Sequence, residues 1–497
     1  MNVLLLSMPD SFEHMPTSAV RMPNGALVSL AGNVDPHHRV AVADLILVQG
    51  RVRETVTRLV NEYRPDVLGL SVMTFQRKTA FAIVNLVRSL RPAVHVVVGG
   101  YDPSLATEAY TDCSRGIDFI VRGEGELTFR ELLRAIENRT DYDAIAGLTY
   151  RAEHGFAHNP DRQLSTLEGS EIRLPARRSR VLKGYTLLGR QSDVIETSRG
   201  CTFDCSFCSI IEMRGRNYNK FSFDRVLADI RDARDHGARS IFIVDDNLTL
   251  NIKRFEALCH AIVDAGLNTI DYTVQAMTSA IADHGETLAP LMRKAGFRYV
   301  FLGIENVVES DLSFLHAASK NTKHENGKRA GNAALTAIEH LHRNKMYVLG
   351  GLIVGNPEDT RESVQANLQF ARKFIDWPYI QHPTPYPRTP MTKALAEAGL
   401  IVSDRLEEYD GTTSVVKCEN LSGEEIEFMR WKAERWIKAR HWWTLVKHDP
   451  LFMARNIARI AGFNFRGSNV KTFLGLEDER RAFARYRDMR IAERSYV

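Results

Sequence analysis

The chain has 497 residues, more than one ordinary hydrophobic core accommodates, so two or three domains are expected. Its 65 Lys and Arg against 61 Asp and Glu leave a net charge of +4, which demands neither nucleic acid nor an anionic membrane as partner. Six cysteines are too few for a disulfide scaffold, and apolar stretches such as Met346–Val354 are interrupted by glycine and too short to cross a bilayer. Met1–Asp10 contains an apolar run without a preceding basic segment or a small-residue cleavage site, so no export signal and a cytoplasmic location are expected.

Residues 1–150 alternate strand-like and helix-like segments, the pattern of a doubly wound parallel sheet. Strands are expected at Val3–Met8, Arg39–Ala43, Val67–Val72, His95–Gly99 and Phe119–Val121, with helices at Arg51–Tyr63, Thr79–Leu90 and Leu127–Asn138 between several of them. Small and polar residues follow the strand ends at Gly99-Gly100-Tyr101-Asp102 and Arg122-Gly123-Glu124-Gly125-Glu126, where ligands bind in open parallel sheets. From Gly147 to about Arg190 the alternation lapses into a small hairpin and an irregular connector, so residues 151–190 are taken as the boundary.

A second series occupies residues 191–400. Strands are expected at Val194–Thr197, Ser240–Val244, Asp271–Gln275, Tyr299–Ile304, Tyr347–Val354 and Pro378–Gln381, with helices at Phe223–His236, Leu288–Ala295 and Ala330–Asn344. About six parallel strands joined by helices make a partial (β/α)6 barrel of the TIM type, whose reactive residues belong at the carboxyl ends of the strands. Residues 401–497 read as helical, notably Gly423–His441 and Glu477–Glu493. The fold class is therefore α/β throughout the first two parts.

Three of the six cysteines fall within eight residues, in Ser198-Arg199-Gly200-Cys201-Thr202-Phe203-Asp204-Cys205-Ser206-Phe207-Cys208. Gaps of three and two residues let one loop bring three thiolates to different irons of a cubane and leave the fourth iron open. A zinc site would want a fourth ligand at knuckle spacing, and no further Cys or His stands close by in the sequence. Three buried thiols without metal are the remaining alternative.

The loop resembles the C-x-x-x-C-x-aromatic-C signature of the radical S-adenosylmethionine superfamily at every defined position. The resemblance implies that Cys201, Cys205 and Cys208 hold a [4Fe–4S] cluster, that Phe207 packs on adenine, and that S-adenosylmethionine is cleaved there to a 5′-deoxyadenosyl radical. Asp245-Asp246-Asn247 stands where the superfamily binds the methionine amino group, with the contacting residue left open among the three. Glu305 in Phe301–Asn306 stands where the ribose hydroxyls are met, and Gly351 and Gly355 in Gly350–Glu358 lie beside the adenine; Gln275 ends the third strand.

A flavodoxin-like sheet ahead of such a barrel is similar to the cobalamin-binding class of that superfamily, which includes hopanoid methylases and the anaerobic magnesium-protoporphyrin monomethyl ester cyclase. The resemblance implies that the loops with Ser71, Thr74, Gly99, Gly100, Gly123 and Glu124 hold the corrin and its nucleotide tail. Asp35-Pro36-His37-His38 has the Asp and His of a cobalt-ligating motif but lacks its Gly and precedes the second strand, so it is taken as a turn. In the family cobalamin carries a methyl group from one S-adenosylmethionine, and a second molecule supplies the radical that activates the acceptor carbon. The implied activity is radical methyl transfer to a hydrophobic lipid or polycyclic substrate, with oxidative cyclisation and a non-catalytic zinc-stabilised binding protein as the alternatives, and with a flavodoxin or ferredoxin as electron donor.

Four of the five tryptophans, Trp431, Trp436, Trp442 and Trp443, are interleaved with Arg430, Lys432, Arg435, Lys438, Arg440 and Lys447, and Phe452, Ile457, Ile460, Phe463 and Phe465 follow. This stretch either packs its aromatics on the barrel mouth or forms an amphipathic surface for a membrane or greasy substrate. It matches no nucleic-acid module. Tyr386, in the proline-rich loop Gln381–Pro390, either faces the substrate or packs.

Overall fold

The computed structural model describes residues 1–11, 20–164, 166–169, 171–325, 328–448, 450–464, 470–492 and 496–497. β1 (Asn2–Ser7) is buried along almost its whole length, as its uninterrupted apolar run requires of a central parallel strand. It lies between β3 (Arg39–Asp44) and β4 (Val67–Ser71), and β5 (His95–Gly99) and β6 (Phe119–Val121) continue the sheet in parallel. The chain order 2-1-3-4-5 is flavodoxin-like, with its switch point between β1 and β4. β2 (Val20–Arg21) leaves this sheet for the second one.

The hairpin expected in the connector instead extends the first sheet. β7 (Leu148–Ala152) pairs antiparallel with β6, and β8 (Gly155–His158) pairs antiparallel with β7. Two apolar clusters cover the two faces of the sheet, one including Leu4, Leu6, Val56 and Ile83, the other Leu5, Leu27, Val97 and Phe129.

The second sheet carries β9 (Thr186–Leu187), β10 (Arg190–Ile195), β13 (Ser240–Ile243), β14 (Asp271–Met277), β15 (Phe297–Glu305), β18 (Tyr347–Ile353) and β19 (Trp377–Gln381). Its order is β19-β18-β15-β14-β13-β10-β9-β2. From β10 to β19 every neighbouring pair is parallel, which makes an open partial barrel of six strands. Short antiparallel pairs, β11 (Ser198–Arg199) with β12 (Asn219–Lys220) and β16 (Thr322–Glu325) with β17 (Lys328–Asn332), lie outside it.

The strand expected at Val194–Thr197 starts earlier, at Arg190, through a polar segment that shows no strand alternation. Asp193 explains this: buried in the sheet, it accepts from Arg177 Nε at 3.0 Å and from Arg180 Nη1 at 2.7 Å. Both arginines come from the stretch expected to be an irregular connector. That stretch is a packed strap, with the Ala176 amide donating to Val28 O and the Val181 amide to Val42 O. Tyr185 donates its hydroxyl to the buried Asp44 at 2.6 Å, tying the strap to the end of β3.

The helix Gly423–His448 closes the barrel end, with Ile426 buried in the barrel core cluster. Trp431 packs on Phe428, Phe483 and Tyr486, whereas Trp436 is largely exposed. The side chains of Trp442, Trp443, Lys438, Arg440, Lys447, Phe452, Ile460 and Phe463, and Phe465 as a whole, lie outside the described residues. Tyr386 is packed, donating its hydroxyl to Tyr409 O at 3.1 Å.

Candidate active site

The loop after β10 carries Cys201, Cys205 and Cys208, and the last of these starts the short helix Ser209–Arg214. All three line a cavity of about 230 Å³ at the carboxyl ends of the barrel strands. Phe207, Asp246, Asn247, Gln275, Glu305 and Gly351 line the same cavity. The parallel sheet explains this convergence: residues up to 150 positions apart in sequence lie at or after the ends of strands that all point the same way.

Several side chains have well-defined settings. Asn247 Nδ2 lies 3.8 Å from Cys201 Sγ. Asp246 accepts the Gly200 amide at 2.7 Å and Arg214 Nη1 at 3.0 Å. Glu305 ends β15 at φ 60°, a left-handed conformation, just past an irregularity in the pairing with β18. That kink turns its carboxylate into the cavity, a strained backbone being typical of functional positions. Gly303 is the reason it fits, since a Cβ there would stand 2.6 Å from Glu305 Oε1.

Two candidates sit elsewhere. Asp245 is fully buried and accepts the Thr197 amide at 2.6 Å, the Thr197 hydroxyl at 2.5 Å and the Ser198 hydroxyl at 2.6 Å, so it locks the ends of β10 and β13 together. Gly355 lies outside the cavity lining, at φ 95°, where a Cβ would come within 3.1 Å of Ile426.

Burial pushes the Asp245 carboxyl from 3.8 up to about 6 against the pull of those hydrogen bonds. The folded protein therefore holds a proton between pH 3.8 and about 6 that the unfolded chain has released, and stability falls as pH rises through that window. The shift corresponds to about 3 kcal/mol. Denaturant unfolding of the native chain and of Asp245→Asn across this range checks it: the native profile is expected to slope more steeply downward than that of the variant.

Sequence reasoning missed Lys320, which also lines the cavity, as does Gln381 at the head of the proline-rich loop expected to border the site. Lys320 donates to Glu305 Oε1 at 2.9 Å, and its ammonium lies 5.8 Å from the centre of the Phe207 ring. Burial favours the neutral amine, but the adjacent Glu305 charge overrides it and holds Lys320 firmly protonated. Nothing around Lys320 in sequence signals this, because it follows β15 by 15 residues and enters the site only through the fold.

The three thiols suit a cubane with one open iron, since no further thiol or imidazole lines the cavity among the described residues. Burial pushes the Cys208 thiol up to about 12 and raises Cys205 as well, so a metal is what would deprotonate them here.

A second cavity, of about 280 Å³, opens at the switch point of the first sheet. Ser71, Gly99, Gly100, Gly123 and Glu124 line it, whereas Thr74 is buried and lies outside its lining. Its deeper wall is an apolar slot between β1, β4 and the helices Gly25–Asn33 and Gly125–Asn138, with Leu5, Leu27, Gly69 and Phe129. Gly69 keeps the slot open, because a Cβ there would lie 2.6 Å from Leu5 Cδ2. Such a slot beneath a rim of small residues fits a flat macrocycle with an appended tail.

The two cavities share a partition. Ile210 and Ile211 of the helix Ser209–Arg214 face the cysteine cavity, and Met213 and Arg214 face the second one. Arg199, two residues before Cys201, donates to Glu126 at 2.6 Å and to Glu196 at 2.7 Å, and lies 3.5 Å from Glu124. Burial alone would raise the Glu126 carboxyl, but the Arg199 charge dominates and brings it down to about 2. Burial raises Glu124, which Arg199 only partly offsets.

Comparison with known proteins agrees with this two-cavity arrangement. Residues 18–133 match the model of the B12 binding domain, and residues 195–371 match that of the radical SAM superfamily. An uncharacterised methyltransferase of Pyrococcus horikoshii is 28% identical over 436 residues, 87% of this chain and 91% of that one. Hopanoid C-3 methylase of Methylococcus capsulatus is 27% identical, covering 67% of this chain and 61% of its own. Anaerobic magnesium-protoporphyrin IX monomethyl ester cyclase of Rubrivivax gelatinosus is 26% identical, covering 73% and 62%. The chain thus spans about three fifths of the latter two. The solved structure of the cobalamin-dependent S-adenosylmethionine radical enzyme OxsB shares the fold, with a TM-score of 0.66 and 16% identity over 99% of this chain and 71% of that one. Residues 18–133 are thus a B12 binding domain and residues 195–371 a radical SAM domain, on a flavodoxin-like sheet and a partial barrel, the domain order of the cobalamin-binding class of the radical S-adenosylmethionine superfamily.

Proposed function

We propose that the chain is a radical methyltransferase that uses a [4Fe–4S] cluster, S-adenosylmethionine and cobalamin to methylate an unactivated carbon of a hydrophobic substrate. The observation that carries this reading is the shared partition: one short helix separates the cysteine cavity from the cavity at the switch point. Bound in those cavities, the cluster and S-adenosylmethionine supply a carbon-centred radical and cobalamin supplies the methyl group.

The chain's own residues do the positioning. Cys201, Cys205 and Cys208 would hold the cluster, Asn247 and Asp246 stand at its edge, and Glu305 would offer its carboxylate to the ribose hydroxyls with Lys320 balancing the charge. Phe207 and the backbone at Gly351 would flank the adenine. Ser71, Gly99, Gly100, Gly123 and Glu124 would form the rim around the corrin, and the slot at Leu5, Gly69 and Phe129 would take its tail.

Exposed apolar side chains in the carboxyl-terminal region, Leu451 and Ile457 on the helix Pro450–Asn464 and Leu474 and Leu476 in the turn before the helix Glu479–Ala492, support a greasy acceptor and peripheral contact with a membrane. No helix among the described residues is long and apolar enough to cross one. A flavodoxin or ferredoxin would supply the electron. The relationship to the cyclase keeps oxidative ring closure as the second reading.

Anaerobic reconstitution and product mass test the proposal. Methyl transfer gives a product heavier by one CH₂ unit, with 5′-deoxyadenosine and S-adenosylhomocysteine formed together. A product bearing added oxygen and a new ring favours the cyclase, and a protein that takes up zinc but no iron would sink both. Gly69→Ala isolates the corrin slot: its methyl group forces Leu5 into the space, at a stability cost of about 1–3 kcal/mol. Cobalt content is expected to fall at least tenfold while iron content stays unchanged.

A further inference from the structure

At the opposite end of the first sheet from the switch-point cavity, where the strands begin, the turn before β3 brings His37 and His38 against Glu137, in the last turn of the helix Gly125–Asn138. We propose that these three residues form a binding site for a divalent transition metal of the zinc type. Their donor atoms, one from each side chain, all lie within 4.8 Å of one another. Glu137 Oε2 is 2.9 Å from His37 Nε2 and 3.8 Å from His38 Nε2.

In a tetrahedral zinc site with bonds near 2.0–2.1 Å, neighbouring donor atoms lie about 3.3 Å apart, so these separations need only small ring rotations. Two imidazoles and a carboxylate are a donor set that borderline divalent ions accept, with water completing the shell.

His38 separates this arrangement from a chance surface pair. Its side chain is fully buried, and among the described residues its Nε2 has no hydrogen-bond partner. The other ring nitrogen, Nδ1, lies 3.1 Å from the Met1 nitrogen; ligation through Nε2 puts the ring hydrogen on Nδ1, with the Met1 nitrogen as a neutral amine accepting it, so the ion displaces one proton. A buried ring nitrogen left unpaired carries a desolvation cost that a ligated ion would remove. His37 stacks obliquely on His38 with ring centres 4.0 Å apart, which presents both rings to the same carboxylate. Nearby Asp35 is already taken by Arg134, at 2.6 and 3.0 Å, with Arg173 at 3.8 Å, and stays outside the ligand set.

The site has structural leverage. The turn follows the helix Gly25–Asn33, and Glu137 ends the helix Gly125–Asn138, the two helices whose other ends wall the apolar slot through Leu27, Leu30, Glu126 and Phe129. An ion bridging the turn and the second helix would clamp these walls from outside.

Equilibrium dialysis of the cluster-loaded full-length chain against Zn²⁺, with zinc and iron counted by mass spectrometry, tests the site. The native chain is expected to take up one zinc with its iron unchanged. His37→Ala and Glu137→Gln, both at solvent-accessible positions, are each expected to weaken zinc uptake at least tenfold while retaining iron. Zinc should also raise the melting temperature of the native chain and leave that of both variants where it was. Absence of stoichiometric zinc, equal uptake by both variants, or zinc gained only as iron is lost would each overturn the proposal.

Discussion

Cys205→Ala is expected to lower reductive cleavage of S-adenosylmethionine at least about a thousandfold, equivalent to about 4 kcal/mol in the barrier. Cys205 is buried at the centre of the loop, and three thiolates are the fewest that hold a cubane with one iron open. The iron content of the reconstituted variant should fall with the activity, and 5′-deoxyadenosine formation measured by chromatography checks both. Cys113→Ala is the control: this thiol lies in a turn of the first domain, outside the cavity lining, and iron should be retained. A Cys205→Ala variant that kept its iron and its turnover would remove these cysteines from the chemistry.

Arg199→Met should cause a large loss of stability. Arg199 is almost wholly buried and is surrounded by Glu124, Glu126 and Glu196, so its removal leaves carboxylates without a counter-charge. Breaking a buried pair in this way typically costs about 3–5 kcal/mol. Glu126→Gln in the same background should restore part of it, and a double-mutant cycle in denaturant reads the coupling.

The pH profile gives a second readout. Between 4.5 and about 2 the unfolded chain binds a proton that folded Glu126 refuses, so the native protein loses stability as pH falls through that window. Arg199→Met should flatten this part of the curve. Because Arg199 joins the loop before Cys201 to Glu124 and Glu126 at the start of the helix Gly125–Asn138, the variant should also lower cobalt and iron content together, whereas Gly69→Ala lowers cobalt alone.

The cysteine loop was legible because its chemistry is local: three thiols within eight residues must meet wherever the loop is placed. The strands of both sheets were legible for a related reason. Parallel strands buried on both faces read as apolar runs, as in Val3–Leu6 and Val96–Val98. Glu305 could be placed near the cavity once the strand that carries it was recognised, since parallel strands all deliver their carboxyl ends to the same side.

What the sequence left undecided depends on partners distant along the chain. Asp245, Asp246 and Asn247 are consecutive and chemically similar, yet the pairing of β10 with β13 consigns Asp245 to an internal lock and leaves Asp246 and Asn247 facing the thiols. Gly355 looks like a cofactor glycine until Ile426, 71 residues onward, is found occupying its open side. Lys320 and the Arg199 cluster carry no local signature, and the adjacent His37 and His38 read as a turn until Glu137, about 100 residues onward, is found beside them; each gains its meaning from a charge or ring that only the folded chain brings close. Composition and periodicity determine which segments are strands and which loop bears the thiols. Burial and long-range ion pairing, which exist only in the tertiary structure, decide which of the polar residues face the cavities and which hold the walls in place.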